Sequence, residues 1–238
     1  MTERLNALGQ PIGHALPDWT GAAPPPRTPM SGRFCDVVPV DVDAHAPDLF
    51  PAFRLDADGR NWTYLGYGPF EKEGELRAWM SKACLGDDPL FHTIIDRATG
   101  KAVGLASLLR IDPANGVIEV GHIHYSPLLQ QKPAATEAMF LLMRRVFDEL
   151  GNRRYEWKCD SRNGPSRAAA ARLGFSYEGL FRQAVVYKGR NRDTAWFSII
   201  DSEWPKLRAG YEAWLALENF DDQGRQKRSL AECQAAAI

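Results

Sequence analysis

The sequence predicts an α/β (α+β) fold, a mixed sheet with helices packed on both faces. Three apolar runs, Leu90 to Asp96, Val103 to Arg110 and Val117 to Tyr125, are joined by the turns Arg97-Ala98-Thr99-Gly100 and Asp112-Pro113-Ala114-Asn115-Gly116, the pattern of an antiparallel meander. Downstream, strand-like and helix-like segments alternate, which places helices between the later strands. With 238 residues, 45% of them hydrophobic, the chain can bury the core of one large or two small domains, and disorder along its whole length is excluded.

Each element has its own signal. Arg33 to Val40 suits a first strand, and Asp41 suits an N-cap for a helix marked by Val42, His45, Leu49 and Phe53. Leu76, Trp79, Met80 and Ala83 repeat at helical spacing within Glu71 to Leu85. After the meander, Met139, Leu142, Met143, Val146, Phe147 and Leu150 step by three and four residues until Gly151-Asn152 stops the run. There follow a strand at Arg154 to Cys159 and an Ala-rich helix at Ser166 to Leu173. Two strands, Phe175 to Tyr187 and Thr194 to Ile200, turn at Lys188-Gly189-Arg190-Asn191, and a helix from about Glu203 to Leu217 closes the order β-α-α-β-β-β-α-β-α-β-β-α. Residues 1–32, with Pro24-Pro25-Pro26 and Pro29, read as a proline-rich arm, either draped over the domain or a loose tail. Residues 33–205 form the expected domain, and 206–238 a helix and tail, in which Arg225, Lys227 and Arg228 read as a solvated basic cluster.

A formal net charge of -1 gives no field for holding a polyanion, so a nucleic-acid partner is not expected. The balance is uneven: residues 1–119 carry 11 basic and 16 acidic side chains, and residues 120–238 carry 18 and 14. Cys35, Cys84, Cys159 and Cys233 lie far apart with no C-x-x-C pair, against both a zinc knuckle and a disulfide framework. Without an apolar leader or a membrane-length apolar window, the expectation is a cytoplasmic protein with no membrane partner.

Chemistry concentrates between Glu119 and Ala138. A strand runs into a short loop, and the loop opens a long helix whose first turn holds small residues. Free N–H groups and the positive end of the helix dipole make such a start a phosphate site. Ala134 and Ala135 permit close approach, Lys132 adds charge, and Pro133 fits a first turn where a missing N–H costs little.

Gln130-x-x-Pro133-x-Ala135 resembles the acetyl-coenzyme A signature Gln/Arg-x-x-Gly-x-Gly/Ala of the GNAT superfamily of N-acetyltransferases. Ala135-Thr136-Glu137-Ala138, Asn163-Gly164-Pro165-Ser166-Arg167, Arg172-Leu173-Gly174-Phe175 and Tyr177-Glu178-Gly179 are similar to the RimJ/RimL branch. The resemblance spans roughly residues 33–205 and implies a GNAT fold with a central mixed, largely antiparallel twisted sheet. Pro133 departs from the family pattern by removing one amide. The remaining N–H groups of Gln131, Lys132, Ala134, Ala135 and Thr136 then hold the pyrophosphate.

The resemblance further implies a splayed strand pair, with the backbone of Ile123 and Tyr125 meeting the pantetheine arm and Asn163 contacting the coenzyme. Glu119 lies eleven residues before Gln130, the spacing of the base in the histone-acetyltransferase branch, and is otherwise an ion-pair partner of a neighbouring arginine. The tyrosine that serves many relatives as the acid is replaced by Ala170, while Ser166 matches the serine of the RimJ/RimL branch and equally suits an N-cap. His124 is an alternative base. His122 and His124 share a strand face, but no third ligand lies near and no metal is expected. Cys159 reads as a buried thiol rather than a nucleophile.

Trp62, Tyr64, Tyr67 and Phe70 crowd the loop Asn61 to Phe70, either as walls of an acceptor pocket or as packing under the loop. The acidic first half suits a cationic amine, and the basic second half the anionic coenzyme. The expected activity is transfer of acetyl from acetyl-coenzyme A to a primary amine, a small molecule or a protein N-terminus, by direct attack in a ternary complex. The enzyme would be a monomer or homodimer. The alternatives are a catalytically impaired acyl-coenzyme A-binding module, suggested by Pro133 and Ala170, and an enzyme of the same fold using a longer acyl group.

Overall fold

A computed structural model describes residues 4–237; Met1 to Glu3 of the arm and Ile238 of the tail lie outside the described residues. The main sheet has eight strands in the order β3-β4-β5-β6-β7-β8-β10-β9. These are β3 (Met30–Ser31), β4 (Cys35–Pro39), β5 (Leu90–Asp96), β6 (Lys101–Asp112), β7 (Val117–Tyr125), β8 (Arg154–Asp160), β9 (Ser176–Tyr187) and β10 (Arg190–Ile200). Every neighbouring pair is antiparallel except β7 and β8, which are parallel. The arm adds a small hairpin, β1 (Arg4–Leu5) with β2 (Pro11–Ile12).

Helices α1 (Val42–Arg54) and α2 (Glu73–Ala83) bury Leu49, Phe53, Leu76 and Met80 in a cluster with Phe91 and Leu105 of the sheet. Asp41 caps α1 as its position predicts, its carboxylate accepting the Ala44 N–H at 2.9 Å. A separate cluster holds α3 (Pro133–Arg144), where Leu142 and Met143 pack with Tyr211 and Trp214 of α5 (Trp204–Leu215). The short α4 (Gly164–Arg172) follows β8.

Two buried charged groups tie the flanks to α3. The Glu137 carboxylate accepts the N–H groups of Arg33, Phe34 and Cys35 at 2.7, 2.6 and 2.8 Å. A Cβ on Gly32 would stand 2.4 Å from that carboxylate, so glycine is required for the approach. Arg145 donates to the carbonyls of Pro26, Thr28 and Pro29 at 3.3–3.4 Å, and Trp19 donates to the Ala114 carbonyl at 2.8 Å. From Trp19 on, the arm is therefore draped rather than loose. The expected tail also differs: Ser229 and Glu232 form a reciprocal capping box that opens α6 (Leu230–Ala236), and α6 packs against Gly210 of α5.

Candidate active site

The parallel pair β7–β8 is joined only from Val117 opposite Arg154 to Val120 opposite Trp157, although both strands continue. A bulge is the cause. Between Gly121 (opposite Ser107) and His124 (opposite Leu105), β7 carries one residue more than β6, and His122 takes φ 50°. The strand bends away from β8 and leaves a cavity of about 220 Å³, lined by Glu119, His122, Ile123, Lys158, Asn163, Ser166 and Arg192 among others. Ser126 donates to the Val103 carbonyl at 3.1 Å, so strand alternation turns the backbone of Tyr125 and Ile123 away from β6 and toward the gap. The Tyr125 carbonyl is taken by the side-chain amide of Gln130 at 2.8 Å, which leaves its N–H.

Beyond Tyr125 the loop tightens into α3. Gln131 adopts φ 59°, and the N–H groups of Lys132 and Ala135 are used inside the turn, on Leu129 and Lys132 carbonyls at 3.2 and 3.1 Å. The N–H groups of Gln131 and Ala134 meet no acceptor among the described residues. Thr136 fixes the turn to α4 by accepting from Arg172 at 3.0 Å.

At the joined end of the cleft the carboxylate of Glu119 is buried, with Oε2 2.7 Å from Arg110 Nη1 and 2.9 Å from Lys158 Nζ. Lys158 also reaches Glu156 Oε2 at 2.7 Å and lies 3.7 Å from the Trp196 ring centre. One ammonium thus bridges the two parallel strands where they part.

A strand pair splayed by a bulge, with a helix start at its open end, is matched by the sequence over residues 37–176, which fit the family model of the acetyltransferase (GNAT) domain. The chain belongs to the GNAT acetyltransferases. A GCN5-related N-acetyltransferase from Brucella melitensis is 51% identical in its crystal structure, with a TM-score of 0.90 over 92% of this chain and 100% of that one. A Bacillus licheniformis protein named uncharacterized N-acetyltransferase p20 is 32% identical over 148 residues, 59% of this chain and 80% of its own length. GNAT enzymes use acetyl-coenzyme A, and the unpaired backbone of the gap together with the two free amides fits that group.

Other residues of this GNAT chain divide between the cleft and the core. The N-cap of α4 is Asn163, whose side-chain carbonyl accepts the Ser166 N–H at 3.1 Å. Ser166 stands one turn inside and its hydroxyl accepts the indole N–H of Trp157 at 3.0 Å. The cap duty expected of Ser166 falls to Asn163. The neighbouring Cys159 thiol is pushed up by burial, an effect offset in part by Ser166. Ala170 is completely buried.

His122 is half-buried on the cleft wall, its Nδ1 3.3 Å from the Tyr67 hydroxyl; burial first and Arg110 second lower its pKa. His124 is buried between Trp62, whose ring centre lies 3.8 Å away in a stack, and Phe53 at 4.2 Å. Neither of its nitrogens has a partner, and desolvation pulls it down to about 3. Of the four loop aromatics only Tyr64 lines the cleft. Trp62 and Phe70 pack on each other, Tyr67 stacks on Trp79, and Gly68 at φ 67° fits because a Cβ there would meet the Trp62 ring at 2.2 Å. The acidic side chains Asp56, Asp58 and Glu71 border a separate depression with Phe50 and Trp62.

The positive φ of His122 could not be read from composition, because a non-glycine residue in that region leaves no mark in a single sequence. The Asn163 cap could have been read from Gly164-Pro165, since proline favours the first turn. Among the described residues no group of His, Cys, Asp or Glu is arranged to hold a metal, and no helix is long and apolar enough to cross a membrane.

Proposed function

We propose that the chain transfers an acetyl group from acetyl-coenzyme A to a primary amine by direct attack in a ternary complex. The observation that carries this reading is the parting of β7 and β8 beyond Val120 and Trp157, which offers unpaired backbone and a cavity along one path. Bound there, the coenzyme supplies an activated thioester carbonyl. The Ile123 N–H faces the gap and is suited to polarise that carbonyl, while Gln131 and Ala134 N–H groups, Lys132 and the dipole of α3 suit the pyrophosphate. Ala135 and Thr136 shape the same turn, and Asn163 borders the cleft.

Of the candidate bases, His122 fits best. It faces the cleft, burial favours its uncharged form, and in the tautomer whose Nδ1–H donates to the Tyr67 hydroxyl it presents an Nε2 lone pair to the incoming ammonium. Glu119 already holds two cations, and His124 is enclosed by aromatic rings. Ser166 suits the acid: its oxygen accepts from Trp157, which leaves its O–H as a donor that can turn from the neighbouring Cys159 thiol to the departing sulfur. All four cysteines are free and buried, in keeping with work in the cytoplasm.

A free-thiol release assay over a panel of amines and N-terminal peptides tests the reading. Turnover of at least one class supports it. Coenzyme binding without turnover across the panel overturns it in favour of the non-catalytic module.

A further inference from the structure

The charged groups of the cleft are unequally engaged. Arg110 and Lys158 hold Glu119, and Lys158 also holds Glu156. Both oxygens of Asp160 are occupied, Oδ1 by the Arg162 N–H at 2.8 Å and Oδ2 by the Tyr187 hydroxyl at 2.9 Å. Arg192 alone among these cations is unspent. It lines the cavity from near the start of strand β10, half-buried, and none of its guanidinium nitrogens meets an acceptor among the described residues. Its Nε is shielded from solvent without a partner, and no carboxylate among the described residues stands within ion-pair distance.

The position is a built one. The neighbouring Asp193 accepts from the Gln183 N–H at 2.7 Å and the Asn191 amide at 3.0 Å, and its carbonyl accepts the Ser161 N–H at 2.8 Å. A desolvated donor without an acceptor costs free energy, and a guanidinium is shaped to receive a planar anion in two parallel hydrogen bonds.

Building on the acetyl-transfer reading, we propose that Arg192 is the anion-binding subsite of the acceptor pocket and that the acceptor is a small amine carrying a carboxylate. The register sets the order of the groups along the cavity. Trp196 stands opposite Lys158 in the β10–β8 pair, so Arg192 lies four residues, roughly 13 Å of strand, from the level where Lys158 meets Glu119. A carboxylate at the arginine end leaves the amine to the His122 end of the cleft. Compactness follows from two ties across this side: the Tyr64 hydroxyl donates to the Arg162 carbonyl at 3.0 Å and Lys188 to the Trp62 carbonyl at 2.8 Å. The first fixes Tyr64, which lines the cavity, against the segment leading into α4, and this favours a compact acceptor over a polypeptide. The turn suited to the pyrophosphate lies at the start of α3, on a different element from Arg192.

Calorimetry at saturating coenzyme A tests the subsite with matched pairs of products, N-acetyl amino acids and the corresponding decarboxylated acetamides. The carboxylate member of a pair is expected to bind at least tenfold more tightly. Arg192→Gln should erase that advantage, Arg192→Lys should restore part of it, and both variants should keep native coenzyme A affinity and thermal midpoint. Equal or undetectable binding of both members of every pair overturns the proposal. So does a loss in Arg192→Gln that falls on coenzyme A. Thiol release separates the two readings: turnover of amines with no carboxylate preference removes the subsite and keeps acetyl transfer. A carboxylate preference in binding with no turnover of any amine does the reverse.

Discussion

The two ends of β7 face the same neighbour and behave in opposite ways. From Val117 to Val120 the strand is paired with β8 and clamped by Lys158 between Glu119 and Glu156; from Gly121 to Tyr125 it is bulged and unpaired on that side. A buried carboxylate spacing that resembles a catalytic base therefore sits at the stapled end. The open end carries the histidine whose backbone makes the opening. A single residue, His122, carries both the positive φ of the bulge and an imidazole on the cleft wall.

The contrast breaks most visibly at the staple. Lys158→Met leaves Glu119 and Glu156 buried near one another without the shared cation, and a loss of about 3–5 kcal/mol in urea unfolding is expected. A loss under about 1 kcal/mol would mean that the clamp is not what joins the strands. At the open end, His122→Gln should lower kcat about 100-fold with little change in the unfolding midpoint, whereas Glu119→Gln should cost stability more than rate. Steady-state kinetics beside thermal unfolding reads both, and a reversal of the two patterns returns Glu119 to the base.

Acid should act on the open end through His124, pulled down to about 3, and on β5 through His92, pulled down to about 4, in each case chiefly by burial. The unfolded chain binds these protons near pH 6.5 and the folded chain does not, so stability present above that pH is lost as pH falls toward 4. The slope should reach about 1.4 kcal/mol per pH unit for each histidine. Urea midpoints across this range should show a shallower decline for His124→Met. Smaller effects lie on α4: Asn163→Ala should cost about 1 kcal/mol of stability through the lost cap, and Ser166→Ala, which leaves the buried Trp157 indole N–H without its acceptor, should cost at least about 1 kcal/mol and also lower kcat. The smallest is Lys132→Ala, expected to raise the KM for coenzyme about threefold with acceptor choice unchanged, in line with one exposed charge at a helix start.

Much of the fold was legible because its punctuation is chemical. The turns at Arg97 to Gly100 and Asp112 to Gly116 carry Gly, Asn and Pro, and strands β5 and β7 begin and end where those residues predict. The capping box at Ser229 and Glu232 was equally present in the sequence, and α6 follows from it. Other features depend on contacts distant in sequence. Arg192 is one of 29 basic residues, and only the register of β10 on β8 and the prior commitments of Asp160 and Glu119 single it out. The loop aromatics illustrate the same limit. Their crowding was plain, but the choice between pocket wall and packing was made by Phe53, Trp79 and His124, which come from three other elements.

The carboxylate of Glu137 gives the molecule a boundary that the family model does not. The family model begins at residue 37, yet the three amides that hold Glu137 belong to residues 33–35, and the carbonyls on Arg145 to residues 26–29. A chain trimmed to the matched segment would keep a buried anion and a buried guanidinium while discarding the three amides that hold the first and the carbonyls that, beside Glu149, hold the second. The segment that the family model matches thus stops short of groups that its buried charges need, and the proline-rich stretch, poor in periodic signal, supplies part of them.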